Sequence, residues 1–129
     1  MRVIYNKWIP FKGFKCINLF GCLFIRKGCF MSEKDFNHED IHSVQILEMF
    51  FLGLTILLPF VLLGMINPLW LFASLGTFYY WYFVEWLIEV FHYGSTAYHT
   101  NTLEREAYSN DDDLTYLATR PKFAWWKYL

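Results

Sequence analysis

The chain has 129 residues, a length that suits one domain. Hydrophobic residues make up 56%, aromatic residues 22% and charged residues only 18%, which excludes intrinsic disorder, collagen and a charged coiled coil. The net charge of -1 shows no basic excess, so nucleic acid is not an expected partner. The three cysteines form no CxxC motif and are expected to be reduced packing residues.

Residues 1–30 predict short strands. β-branched and aromatic residues fill residues 3–5, 16–20 and 22–25, and glycines punctuate this region. Three strands joined by tight turns predict a small N-terminal β-sheet.

An H-E-x-x-H motif follows, formed by His38, Glu39 and His42. In a helix, residues four apart share a face, so both imidazoles can reach one ion, while Glu39 is turned about 100° away. Metalloproteases use this spacing because two neutral histidines hold Zn²⁺ and the carboxylate acts as a general base. Gln45 falls about 20° from His38 and extends the same polar stripe.

The start of this helix is signalled by Ser32 and Asp35, whose spacing resembles a capping box, and Asn37 offers a second possible cap. We expect the metal helix to occupy residues 33–64 and to run on into a membrane span. The predicted domain is therefore a single membrane-embedded unit over residues 1–129.

A stretch of 36 residues without charge, from Met49 to Val84, predicts the membrane segments. One span needs about 20 apolar residues, so this stretch suits two short spans separated by the turn signal at Asn67 and Pro68. The second span is expected at residues 69–93 and a C-terminal helical segment at 102–129. The predicted fold class is a mainly α membrane protein, a two-helix transmembrane hairpin with a small N-terminal β-sheet and a C-terminal helix. A soluble pair of core helices is the alternative.

The charge distribution predicts the topology. All 11 Lys and Arg residues lie before residue 35 or after residue 104, and the turn carries none. The positive-inside rule places both termini in the cytoplasm, with the lipid bilayer as a partner. The aromatic run at residues 78–83 suits an interfacial belt, and the tail at 123–129 suits an interfacial anchor.

The sequence LEREAY at residues 103–108 contains a candidate for the third metal ligand. Here the chain resembles the gluzincin metallopeptidases, especially integral-membrane ones such as the CAAX prenyl proteases, which carry a later E-x-x-A-D on another helix. The resemblance implies zinc ligands His38, His42 and Glu104, with Glu39 as the base. The chain departs at Tyr108, where the family has Asp; Tyr108 is a candidate to stabilise an oxyanion. The pattern also resembles small bacterial membrane proteins with zincin-like motifs, which implies a bacterial inner membrane.

Other residues compete for the position of third metal ligand or are candidates for further roles in the site. Glu85, Glu89 and His92 are spaced i, i+4, i+7 and form a polar stripe, so Glu85 or Glu89 competes with Glu104 as third ligand. His99 is a candidate for binding substrate. The acidic run at residues 111–113 is expected to cap the helix that follows it.

These features predict a membrane-bound zinc metallopeptidase that hydrolyses a peptide or protein substrate with a zinc-activated water and a Glu base. The family analogy adds a strand edge near residues 15–26 that holds an extended substrate. The alternative is a non-enzymatic small membrane protein with a structural metal or none, acting through protein partners. Hydrolysis of lipid rather than peptide is a third possibility, and the substrate and oligomeric state stay open.

Overall fold

The computed structural model describes residues 1–93 and 101–129, without the side chains of residues 92 and 93. The chain is mostly helical with a small N-terminal mixed sheet. Its strands are β1 (Arg2–Asn6), β2 (Cys16–Leu19) and β3 (Cys22–Arg26). Its helices are α1 (Glu33–Leu62), α2 (Thr77–Tyr93), α3 (Thr102–Asn110) and α4 (Tyr116–Thr119), with 3₁₀ helices at Pro68–Gly76 and Ala124–Tyr128.

The sheet has the strand order β1-β3-β2, so the three strands predicted near these positions are present. β3 pairs antiparallel with β2 and parallel with β1. Phe20 and Gly21 form the turn of the β2–β3 hairpin with φ angles of 53° and 76°, as a two-residue hairpin turn requires. The Phe20 N–H donates to the Tyr79 hydroxyl at 2.7 Å, which fastens the hairpin to α2.

The predicted capping box is confirmed at the start of α1. The Ser32 hydroxyl accepts from the Asp35 N–H, and the Asp35 carboxylate accepts from the Ser32 N–H. Asn37 is not a cap. It is buried inside α1, and its Nδ2 donates to the carbonyl oxygens of Asp111 and Asp113, both at 3.0 Å. This side chain therefore ties α1 to the chain that leaves α3.

After α1 the chain turns at residues 63–67 and returns along the same helix. Gly53 packs closely against this returning segment. A Cβ at Gly53 would collide with Thr77 Oγ1 and lie 3.1 Å from Ser74 Cα. Earlier in α1, Met49 packs with Phe78 in the core. α1 and the segment that returns along it are therefore antiparallel neighbours, as a helical hairpin requires.

The return differs from the predicted second span at 69–93, because it consists of a 3₁₀ helix followed by the 17-residue α2. Within the described residues, α1 is the one helix that is long and apolar enough to cross a membrane.

The C-terminal segment is helical but broken. Asn101 caps α3 by accepting from the Leu103 N–H, and α4 and the second 3₁₀ helix follow separately. Asp113 accepts from the N–H of Thr115, the N-cap residue of α4, at 2.9 Å, and Thr115 makes no side-chain cap hydrogen bond, so the structure does not confirm the predicted capping by the acidic run. Asp111 has a different role, because it is buried and pairs with Lys34 at 3.1 Å.

Trp125 contradicts the predicted interfacial anchor. It is 1% exposed and belongs to a core cluster in which its ring centroid lies 5.8 Å from that of Trp81. Trp126 is 64% exposed. The prediction is wrong for Trp125, because aromatic residues fill a protein core as well as a membrane interface.

Candidate metal centre

Two helices bring together the three residues predicted to bind metal. His38 and His42 lie one turn apart on α1, and Glu104 lies in the first turn of α3. One ligand atom from each lies within 4.8 Å of the others. The two Nε2 atoms are 3.0 Å apart, His38 Nε2 is 3.4 Å from Glu104 Oε2, and His42 Nε2 is 3.6 Å from Glu104 Oε1.

Gln45 fixes the proton on His42. The Gln45 side chain is fully buried, and its Nε2 donates to the Leu103 carbonyl at 3.0 Å and to Glu106 Oε2 at 2.9 Å. Its Oε1 therefore faces His42 Nδ1, at 2.7 Å, and can only accept. Because Nδ1 carries the proton, a neutral His42 directs the lone pair of Nε2 toward Glu104.

Asp111 stands beside the other imidazole. Its Oδ2 lies 3.7 Å from His38 Nδ1, which favours the same tautomer in His38. The resembled family has Asp at the position of Tyr108, and Tyr108 here packs its ring 4.6 Å from that of His38. The carboxylate of Asp111, one turn further along the chain than Tyr108, therefore lies beside the candidate ligand His38.

Glu104 is ionised and nearly dry. It is 3% exposed, and its Oε1 accepts from the Tyr82 hydroxyl at 3.0 Å. Burial raises the pKa of Glu104, but hydrogen bonds and positive charge from the two imidazoles in their protonated form outweigh burial and hold the pKa of this carboxyl well below its usual range. Oε2 is buried and accepts no hydrogen bond from any described residue.

These orientations make the cluster a site for a cation. Two imidazole lone pairs and a carboxylate converge on one small space, and only a proton or a metal ion can satisfy them together. Two histidines and one glutamate are a donor set that zinc accepts, with one position left for water. Among the described residues no fourth His, Cys, Asp or Glu joins the group.

Glu39 lies beside this group but outside it. It lines the same cavity of about 440 Å³ as the three candidate ligands. Its Oε1 accepts from the Cys16 thiol, whose Sγ is 3.2 Å away. Burial and the neighbouring Glu39 raise the pKa of the Cys16 thiol to about 12, so this group stays protonated and remains a donor at neutral pH.

The rival ligands lie elsewhere. Glu85 accepts from the Thr102 N–H at 2.7 Å and from Trp81 Nε1 at 3.0 Å, so it holds the start of α3. Glu89 lies on α2 outside the candidate group. The side chain of His92 and the whole of His99 fall outside the described residues. The oxyanion role of Tyr108 stays a prediction, since Tyr108 lines a second cavity that Glu104 and His42 do not reach.

Sequence reasoning missed several residues of the site. Tyr82 was assigned with its aromatic neighbours to a membrane belt, and Asp111 to a helix cap. Glu106, which orients Gln45, lies two residues after Glu104 in the same motif. In the sequence, Glu106 is recognisable only as a second glutamate in a short predicted helix. A solvent-exposed helix shows the same pattern.

Comparison with known proteins finds no matching family model, no similar curated protein and no similar solved structure.

We expect Gln45→Met to weaken zinc binding about 10- to 100-fold, because His42 Nδ1 loses the acceptor that orients its ring. A competition titration against a chromophoric chelator in detergent measures this affinity. Leu47→Met, at a position of α1 that is 56% exposed, is the matched control and should bind zinc like the original chain. Equal affinity in both variants would show that Gln45 does not orient the ligand.

Proposed function

We propose that this protein is a membrane-bound zinc metallopeptidase. The observation that carries the proposal is the convergence of His38, His42 and Glu104 in a cavity that also holds Glu39. Three protein ligands with an open fourth position are the pattern of catalytic zinc, whereas structural zinc is closed by four protein ligands. The resemblance of the two motifs to the gluzincins supports the same conclusion.

The residues divide the chemistry between them. His38, His42 and Glu104 would hold the zinc ion, and the bound ion would supply Lewis acidity that lowers the pKa of a water to about 7. Glu39 would be the general base of the reaction, the group that takes up a proton from the water and gives it to the leaving amine. Cys16 donates to one oxygen of Glu39 and leaves the other free for this transfer.

The membrane part of the proposal is supported by exposure. Only 22% of the apolar window of α1 is buried inside the protein, whereas a soluble core helix is mostly buried. Leu58, Phe60 and Leu62 are all exposed large hydrophobic residues near the end of α1. We propose that α1 crosses the bilayer and that the chain returns through it along the 3₁₀ helix and the first residues of α2. Both termini then lie on the cytoplasmic side.

The alternative is a non-enzymatic membrane protein with a structural metal. It requires a fourth ligand to close the coordination shell. Glu85, the best candidate for that ligand, is occupied with the start of α3. The lack of a fourth ligand among the described residues and the placement of Glu39 therefore favour catalysis, and a peptide or protein near the membrane surface is the proposed substrate.

The first test is metal content. Purified protein should carry about one zinc per chain, and His38→Ala or His42→Ala should lose it because one imidazole holds the ion poorly. Glu85→Gln and Glu89→Gln are matched controls that should keep it. Mass spectrometry of the metals measures the result. Unchanged zinc in the His38→Ala/His42→Ala double variant would refute the site, and stoichiometric iron instead of zinc would refute the peptidase.

The second test separates the base from the ligands. Glu39→Gln keeps size and polarity but cannot accept a proton, so zinc should remain while hydrolysis falls by about 10²- to 10⁴-fold. Glu33→Gln, exposed in the first turn of the same helix, is the control and should cleave normally. The assay is cleavage of casein and membrane-derived peptides in detergent. Equal cleavage by Glu39→Gln and the original chain would exclude Glu39 as the base.

The third test addresses topology. Ile66→Cys, in a chain whose own cysteines are replaced by serine, should react from outside intact cells with a membrane-impermeant maleimide. Cysteines placed near either terminus should react only after lysis. Termini that label on opposite faces would rule out the two-span hairpin.

A further inference from the structure

The loop between β1 and β2, residues 7–15, presents large aromatic side chains outward. Trp8 is 86% exposed, Phe11 is 85% exposed and Phe14 is 63% exposed. Three exposed aromatics in one short loop are costly in water and mark an interaction surface. Aromatic rings of this kind are also enriched at the interface between water and a bilayer.

Basic residues accompany the aromatics. Lys7, Lys12 and Lys15 all lie in the loop and are exposed. Lys15 pairs with Asp35 at 3.2 Å, whereas no ion pair in the described part of the chain involves Lys7 or Lys12. An anionic lipid leaflet has an apolar interior beneath a negatively charged headgroup layer. Exposed aromatic side chains beside lysines without an ion-pair partner are complementary to such a surface.

The position of the loop agrees with such a surface. Pro10, Phe11 and Phe14 line the cavity of the metal centre, opposite Phe78 and Tyr79 at the start of α2. The loop is therefore level with the end of α1 that carries the metal centre, outside the uncharged half of that helix. Since Phe11 and Phe14 are also exposed, they form a thin wall between the cavity and the surroundings.

We propose that the loop at residues 7–15 docks into the headgroup region of an anionic bilayer. Trp8, Phe11 and Phe14 insert at the acyl boundary, and Lys7 and Lys12 bind lipid phosphates. The docked loop holds the mouth of the cavity at the membrane surface, where a lipid-borne peptide can enter. The inference rests on the membrane crossing in the proposed function, but it assigns a lipid-binding role to residues outside the metal centre.

The test measures contact between Trp8 and lipid in nanodiscs. Brominated acyl chains quench tryptophans that they touch, and the difference between the original chain and Trp8→Tyr isolates Trp8 from the other five tryptophans. We expect strong quenching of Trp8 in discs with about 30% phosphatidylglycerol and at least twofold less in pure phosphatidylcholine. Lys7→Gln/Lys12→Gln should remove the dependence on lipid charge. Lys122→Gln/Lys127→Gln, two exposed tail lysines, is the matched control and should retain it.

The outcomes separate this inference from the membrane crossing. If Trp8 is unquenched in discs that contain the protein, the loop does not touch lipid and the inference is wrong. If quenching of Trp8 is the same in both lipids, the proposed role of the lysines is wrong. If alkaline carbonate extracts the protein from membranes without detergent, α1 does not cross the bilayer, and the proposed function fails at that point instead.

Discussion

A cluster of electron pairs that the protein's own donors satisfy only in part is the constraint on which this molecule depends. The Nε2 atoms of His38 and His42 and the carboxylate of Glu104 face one another in a nearly dry space. Leaving such groups unpaired costs several kcal/mol, about 1–3 for each neutral group and more for a charged one. A shared cation would remove that cost. Since the candidate ligands come from α1 and α3, the same cation would join two helices far apart in the sequence.

A buried polar chain keeps these groups in position. Gln45 is oriented by Glu106, and Glu106 accepts from Arg120 Nε at 2.5 Å and from the Tyr116 hydroxyl at 2.9 Å. Arg120 also binds Glu48 on α1 at 2.7 Å, and the Arg120 side chain is 3% exposed. Buried ion pairs add little net stability, but removing one partner costs about 3–5 kcal/mol. The network therefore specifies geometry, and it links Arg120 and Tyr116 to His42 through Glu106 and Gln45.

The sequence predicts what depends on local spacing. H-E-x-x-H places two imidazoles on one face because helical periodicity does not depend on the rest of the fold. The capping box at Ser32 and Asp35 and the three strands are local in the same sense, and the structure has them all. Glu104 came from a resemblance between motifs, and the structure brings it to the histidines.

The rest depends on contacts between distant segments. Tyr82 reaches Glu104 and Asp111 reaches His38 only because α2 and α3 pack against α1, and nothing within a few residues of either signals that contact. The parallel pairing of β1 with β3 is non-local in the same way. Trp125 shows a different limit, since hydrophobic content identifies apolar surface but not whether protein or lipid covers it.

Cys16, His38 and Glu39 line both of the cavities that border the candidate metal centre. The larger cavity is walled mostly by apolar side chains such as Ile17, Leu19 and Phe78, and the smaller one by Lys34, Asp35 and Asp111. The candidate metal centre therefore lies between an apolar cavity and a polar one. In the proposed peptidase, water would reach the site, and a polar fragment would leave it, through the polar cavity while the apolar cavity holds the rest of the substrate. Entry and exit would then use different routes, and a lid that opens and closes in each cycle would not be required.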